Sequence, residues 1–188
     1  MAKQIRLETR QQLNIYMSPV RQELMRLLRL AEEPMTPKAL ADRLGVSPSS
    51  VQHHLKKLLE LGTVEVDHQA VINGITATYY RDAGAEVRVG LSRDDGLQDE
   101  REAMATDMVN RILQAFFRDL RQVRAGQDDE ALAQFGDLFS GVAHLSPEER
   151  EELLRLIRAF LLEHDAPAPG RTERWEYVLM AHRVGVRE

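Results

Sequence analysis

The chain of 188 residues contains no cysteine. This absence excludes disulfide bonds, thiolate metal sites and cysteine nucleophiles together, and it fits a reducing cytoplasm. A long apolar run is also missing, because the most apolar stretch, Leu153 to Leu162, is interrupted by Arg155 and Arg158 and cannot span a membrane. The first residues are polar and do not form an apolar signal core. We therefore expect a soluble, cytoplasmic protein.

The composition supports a folded protein with a packed core. Hydrophobic residues make up 43% of the chain and charged residues 29%, as in globular rather than disordered proteins. The length fits one large domain or two small ones. The charge is uneven. Residues 1–81 carry 11 Lys and Arg against 8 Asp and Glu, and residues 82–188 carry 14 against 22, so their net charges are +3 and −8.

Two short helices joined by a tight turn are predicted between residues 36 and 58. Each begins with a hydroxyl residue followed by proline, as Thr36-Pro37 and Ser47-Pro48. The side-chain oxygen can accept a free amide of the first turn, and proline suits the first helical position. Gly45 stands where the first helix must end, because glycine enters the left-handed region without a steric penalty. This pattern is typical of a helix-turn-helix that enters a DNA groove.

The flanking segments extend this motif. A helix of about residues 19–31 precedes it, and Gly62 ends the helix that follows the turn. Beyond Gly62 the apolar residues alternate, and Asn73-Gly74 predicts a type I′ hairpin turn. Three helices followed by a hairpin make a winged helix. The basic first part then suits a DNA-binding head, joined to an acidic body that does not bind DNA.

Residues 17–81 resemble the ArsR-like winged helix-turn-helix repressors of bacteria and archaea. The segments that carry the resemblance are Pro19-Val20-Arg21, residues 40–47, residues 50–58, Leu61-Gly62-Thr63-Val64 and Tyr79-Tyr80. The resemblance implies a DNA-binding transcriptional regulator. Metal-sensing members carry cysteines or Asp and His pairs, whereas this chain has scattered histidines at 144, 164 and 182 and no cysteine. We therefore expect neither a metal nor a cofactor.

The outer face of the helix after the turn is the predicted DNA contact, because Val51, Leu55 and Leu58 must face inward. Residues near its N-terminal end reach base edges in such motifs. The residues expected to contact bases are Ser49, Gln52 and His53. The residues expected to contact phosphates are Ser47, Ser50, Lys56 and Lys57. His54 lies toward the core, and we expect it to be a structural, hydrogen-bonded histidine.

The predicted wing departs from the family pattern. It carries no Lys or Arg between Thr63 and Tyr80, and it contains Glu65 and Asp67. Only Arg81, at its end, is placed to meet a phosphate, although wings of the family contact the DNA backbone or minor groove.

The acidic second half is expected to be mainly helical. Apolar spacing predicts a long helix over residues 98–124, a helix over residues 130–144 and a third that opens at Ser146 with a capping box. Alternation predicts strands over residues 86–91 and 175–181, which would pair with each other. The wide apolar face of the long helix suggests packing against a second subunit.

The aromatic residues of this half admit two interpretations, a pocket for an apolar small-molecule effector or an ordinary core. They are Phe116, Phe117, Phe135, Phe139, Phe160, Trp175 and Tyr177. We favour the core. An enzyme is not expected, because the sequence offers no nucleophile, metal set or phosphate loop.

These patterns predict an α+β, mainly helical protein. Residues 1–82 would form a winged helix-turn-helix DNA-binding domain, and residues 83–188 a mainly helical dimerisation and possible effector-binding domain with one or two short strands. The predicted function is a sequence-specific transcriptional regulator, a repressor that binds a palindromic operator on double-stranded DNA as a homodimer. The alternative is a winged-helix protein-interaction module, which the apolar wing tip around Val71, Ile72 and Ile75 favours.

Overall fold

A computed structural model describes residues 3–126, 128–165, 168–170 and 173–185. The elements follow one another as β1 (Gln4–Arg6), α1 (Arg10–Met17), α2 (Pro19–Leu30), α3 (Pro37–Leu44), α4 (Pro48–Leu61), β2 (Val64–Ile72), β3 (Ile75–Asp82), β4 (Glu86–Arg88), α5 (Gln98–Ala125), α6 (Asp129–Gln134) and α7 (Pro147–Glu163). This order confirms an α+β, mainly helical protein that begins with a winged helix-turn-helix.

The two predicted helix starts form as hydrogen-bonded caps. The Thr36 hydroxyl accepts the amide of Ala39 at 3.2 Å, and the Ser47 hydroxyl accepts the amide of Ser50 at 3.2 Å. Gly45 ends α3 in the left-handed conformation, with φ at +67°. The sequence prediction of the helix-turn-helix is therefore confirmed, including both of its caps and its turn.

The core of the first half lies between α1, α2, α3 and α4. Residues that are wholly or almost wholly buried there include Leu13, Leu24, Leu40, Ala41, Val51, Leu55 and Leu58. Met35 joins this core to the wing, because its backbone exchanges hydrogen bonds of 2.8 and 2.9 Å with Tyr80 on β3. The core thus fixes how α4 and the base of the wing lie relative to each other.

The wing is the antiparallel hairpin of β2 and β3. Asn73 and Gly74 occupy its turn with φ values of 50° and 80°, as a type I′ turn requires. The register shifts between Val66 and His68, so a bulge interrupts β2 near its start.

The chain has a second sheet of two strands, and the sequence prediction of its strand pairing is wrong. The strand expected over residues 86–91 forms as β4, but its partner is β1, in parallel register, rather than residues 175–181. The described residues of that last segment form no strand. Before α2, the chain forms the short strand β1 and the helix α1, which Thr9 and Gln12 open with a capping box.

The predicted helices of the second half form with one difference. The long helix α5 has 28 residues and α7 opens with the expected capping box between Ser146 and Glu149. The helix expected over residues 130–144 is wrong beyond Gln134, where α6 ends. Gly136 follows with φ at +133°, which an α-helix cannot contain. No helix among the described residues has both the length and the apolar character needed to cross a membrane.

Candidate nucleic-acid interface

The exposed face of α4 brings together the three predicted base-contacting residues and one predicted phosphate contact. Ser49, Gln52, His53 and Lys56 are all exposed. Their spacing of three, four and seven residues places them in one stripe along the helix. Because Val51, Leu55 and Leu58 are completely buried on the opposite side, this stripe must face solvent. We call these four residues the α4 stripe.

The N-terminal end of α4 is held by its own hydroxyl groups. Besides capping the Ser50 amide, the Ser47 oxygen lies 3.1 Å from the Ser49 oxygen. Ser50 is half-buried beside the stripe. The first turn of a helix attracts anions through its free amides and its dipole, so a phosphate placed here would be favoured.

The two lysines of α4 differ in availability. Lys57 donates to the carboxylate of Glu60 at 2.9 Å, and this hydrogen bond holds the pKa of Glu60 below its usual range. Lys56 has no hydrogen bond or ion pair with any described residue. Lys56 is therefore available to bind a phosphate, whereas Lys57 would first have to break its hydrogen bond with Glu60.

Arg81 is not free, because it forms ion pairs with carboxylates of the wing. Its guanidinium approaches Glu65 at 2.7 Å and Asp67 at 3.3 Å, both on the neighbouring strand β2. With Asp82 included, the hairpin carries three carboxylates against one arginine. The wing is therefore an acidic surface, and its predicted phosphate contact is engaged within the protein.

His54 lies beside the stripe, where it meets Arg21 of α2. The Arg21 guanidinium lies 3.3 Å from Nδ1 of His54, and it also donates to the backbone carbonyls of Asn14 at 2.8 Å and Ile15 at 2.5 Å. Burial, followed by the positive charge of Arg21 and then by His53, lowers the pKa of His54. The structural role expected for His54 is consistent with these contacts.

The sequence patterns assigned no contact role to two arginines, Arg21 and Arg43. Arg21 connects the end of α1 to α4, and its place in the first turn of the helix after α1 was the available signal. Arg43, in the last turn of α3, is exposed and makes no hydrogen bond or ion pair with the described residues. The first helix of a helix-turn-helix crosses the DNA backbone, so Arg43 is well placed for a phosphate.

The aromatic residues of the second half do not form a closed core within one chain. None of the seven is buried. Phe116 and Phe135 pack with ring centres 5.2 Å apart, whereas Phe139 is 88% exposed. Phe160, Trp175 and Tyr177 line an open cleft of about 980 Å³. Among the described residues, no group of three His, Asp or Glu side chains is placed to hold a metal ion.

Together the capped helices, the α4 stripe and the hairpin define a winged helix-turn-helix module, the kind found in DNA-binding transcriptional regulators. Residues 16–67 match the protein family described as "Helix-turn-helix domain", which confirms the resemblance seen in the sequence for this part of the chain. A comparison with curated protein sequences found no match.

Several solved structures are distantly similar to this chain. A possible transcriptional regulator from Methanosarcina mazei Go1 is 16% identical, with 57% of this chain and 81% of that one covered and a TM-score of 0.33. The adhesin competence repressor AdcR from Streptococcus pyogenes is 15% identical, with 81% and 84% covered and a TM-score of 0.34. ZitR from Lactococcus lactis is 15% identical, with 78% and 75% covered and a TM-score of 0.31. At these TM-scores the similarities carry no argument about function.

Proposed function

We propose that this protein is a homodimeric, sequence-specific transcriptional repressor that binds a palindromic operator. The α4 stripe is the observation that carries the proposal. It places a hydroxyl, an amide, an imidazole and a free ammonium on one exposed side of a helix anchored by a buried core. In a dimer, two copies of α4 would enter successive major grooves about 34 Å apart.

The contacts divide by chemistry. Ser49, Gln52 and His53 read base edges, because they project from the first half of α4 and Gln can pair with adenine through two hydrogen bonds. Phosphate contacts come from the cap of α4 and from the lysines. Lys56 is the stronger candidate of the two, because Lys57 is already hydrogen-bonded to Glu60. The residues that we assign to phosphates are Ser47, Ser50, Lys56 and Lys57, with Arg81 contributing only if it leaves its carboxylates.

Dimerisation is supported by the apolar surface of the second half. Helices α6 and α7 bury no residue, although α7 is 17 residues long. Many exposed large apolar side chains on neighbouring helices are typical of an interaction surface, and a second copy would cover them. Exposed apolar residues of α5 and α7 include Leu113, Phe117, Leu153, Leu154, Leu156, Phe160 and Leu162.

We assign DNA binding to residues 1–82 and dimerisation to residues 83–188, although β1 pairs with β4 across that boundary. An apolar effector would fit the cleft beside Phe160, Trp175 and Tyr177, which Arg29 and Leu30 of α2 also line.

The test is binding of the full chain to the DNA upstream of its own gene. Fluorescence anisotropy with a labelled duplex and a scrambled duplex of equal length measures specificity. Sedimentation of the complex then gives its stoichiometry. The proposal expects preferential binding to the upstream duplex with two chains per site. Equal affinity for both duplexes, or one chain per site, would contradict it.

A second candidate function is a protein-interaction module. The wing favours it, because Val71 and Ile75 at its tip are each 73% exposed and its one arginine is paired. The same titration separates the two functions, since an interaction module would bind neither duplex at low salt.

A further inference from the structure

Two arginines stand side by side on the small parallel sheet. Arg6 of β1 and Arg88 of β4 are register partners, as are Ile5 and Val87 next to them. Ile5 is buried and Val87 packs against the core, so the arginines share the opposite, outer face. Like charges that face each other across a strand pair are destabilising. Such a pair is stabilised when an anion lies between the two guanidinium groups.

No described carboxylate fully compensates this pair. Arg6 has no hydrogen bond or ion pair with a described residue. Arg88 donates to Glu86 at 3.2 Å, and the same carboxylate oxygen lies 3.8 Å from the guanidinium of Arg158 on α7. Glu86 is therefore shared by Arg88 and Arg158, and Arg6 has no carboxylate partner, so the three arginines and one carboxylate leave an excess charge of two positive units.

The three arginines line one cleft of about 570 Å³ between the sheet, the loop after β4 and α7. Arg93 also lines it, but this side chain is paired with Glu8 at 3.2 Å and with Asp95 at 3.0 Å. The cleft lies mostly in the half of the chain whose net charge is −8. A local positive excess there cannot be explained by a generally basic surface.

The cleft also has an apolar wall. Leu91, which is 57% exposed, and the half-buried Val89 line it beside the arginines. A ligand that fits both parts carries an oxyanion at one end and a short apolar body at the other. Arginine forks bind such oxyanions through paired hydrogen bonds.

We propose that this cleft binds a small amphipathic organic anion. Its charged group lies between Arg6, Arg88 and Arg158, and its apolar body lies against Val89 and Leu91. The site is independent of the α4 stripe, so it holds whether or not the chain binds DNA. It also differs in place and chemistry from the aromatic cleft beside Trp175.

Calorimetric titration of the full chain with octanoate, inorganic phosphate and octanol tests the site. Octanoate should bind at one site per chain. Phosphate, which lacks the apolar body, and octanol, which lacks the charge, should each bind about tenfold more weakly or worse. Equal or tighter binding of phosphate or of octanol would overturn the amphipathic assignment, and the absence of octanoate binding would overturn the site.

Variants locate the binding. Arg6→Gln and Arg88→Gln should each weaken octanoate binding about tenfold, because each removes one charge-assisted contact. Arg155→Gln is the matched control, since Arg155 lies on α7 and pairs with Glu152 away from the cleft. Octanoate affinity that is unchanged in Arg6→Gln, or equally reduced in the control, would contradict the proposal.

A measurement without ligand tests the charge excess itself. At low salt, Arg6→Gln should raise the melting temperature of the free chain, because it removes repulsion from Arg88, and it should reduce the further rise that octanoate causes. A lower melting temperature in this variant would show that Arg6 is compensated and would overturn the argument.

Discussion

The guanidinium of Arg101, on α5, donates a 2.8 Å hydrogen bond to the backbone carbonyl of Leu7, which lies 94 residues earlier in the chain. Arg101 is completely buried. It also donates to the carbonyl of Val89, and its ion pair with Asp95 measures 2.6 Å. One side chain therefore joins the start of the long helix to both segments that extend the parallel sheet.

Replacing Arg101 should destabilise the whole chain. Arg101→Met removes the buried one of the two arginine partners of Asp95 and leaves two backbone carbonyls without this donor, so we expect a loss of about 3–5 kcal/mol in the free energy of unfolding. Urea denaturation measures it. Arg118→Met is the control, because Arg118 lies exposed on the same helix. The control should change stability by less than about 0.5 kcal/mol. Equal losses in the two variants would contradict a special role for Arg101.

Acidification should weaken the contact between His54 and Arg21. The folded pKa of His54 lies below its unfolded value near 6.5, so the folded chain binds fewer protons there. The stability that the neutral His54 contributes is then fully present above about pH 6.5, and it is lost as the pH falls through the folded pKa. Denaturation at several pH values measures this loss.

His54→Gln should remove that part of the pH dependence, because glutamine can still accept from Arg21 without titrating. His53→Gln, at the exposed neighbouring position, should retain it. An NMR titration that places the pKa of His54 above 6.5 in the folded chain would disprove the prediction.

Neutralising the wing carboxylates should strengthen non-specific DNA binding. In a double Glu65→Gln and Asp67→Asn variant, Arg81 loses its partners and becomes free for a phosphate. The salt dependence of binding should then steepen by about one unit. Glu102→Gln with Asp107→Asn, two exposed acids of α5, removes the same charge elsewhere. If both double variants bind alike, the effect comes from net charge and not from Arg81.

A charge on the apolar face of α5 should disrupt the dimer. Phe117 is 46% exposed, and Phe117→Glu would place a carboxylate in the proposed interface. Sedimentation velocity should show a dimer for the unmodified chain and a monomer for the variant. Gln114→Glu, at an exposed polar position of the same helix, should leave the dimer intact. A monomeric unmodified chain would contradict the proposed assembly.

Local signals were sufficient to predict the helix-turn-helix. Ser47 and Gly45 act on residues at most four positions away, so the cap and the turn are encoded where they occur. The turn of the wing is encoded in the same way by Asn73 and Gly74. The α4 stripe followed from helical spacing once the inward residues were known, and its role in DNA binding stays a prediction.

Non-local and unpartnered segments were not predictable in the same way. The strands β1 and β4 have three residues each and lie far apart in the sequence. Alternation predicted β4, but no local pattern marked β1 or its pairing with β4. Apolar spacing over residues 130–144 predicted a helix. Gly136 interrupts it, and the apolar side chains beyond Gly136 are mostly exposed, so packing does not stabilise a longer helix. The ion pairs of Arg81 with Glu65 and of Lys57 with Glu60 likewise could not be predicted, because the helix-turn-helix motif does not specify these acidic neighbours.

The most direct test of DNA recognition by α4 is the salt dependence of binding for single variants of the α4 stripe. Lys56→Ala should reduce the salt slope by about one unit for every duplex, because it removes one phosphate contact. Gln52→Ala should keep the slope but lose preference for the upstream duplex. Lys38→Ala, a lysine of α3 that pairs with Asp42, is the control. Unchanged slope and unchanged preference in Gln52→Ala, His53→Ala and Lys56→Ala together would show that this face does not bind DNA.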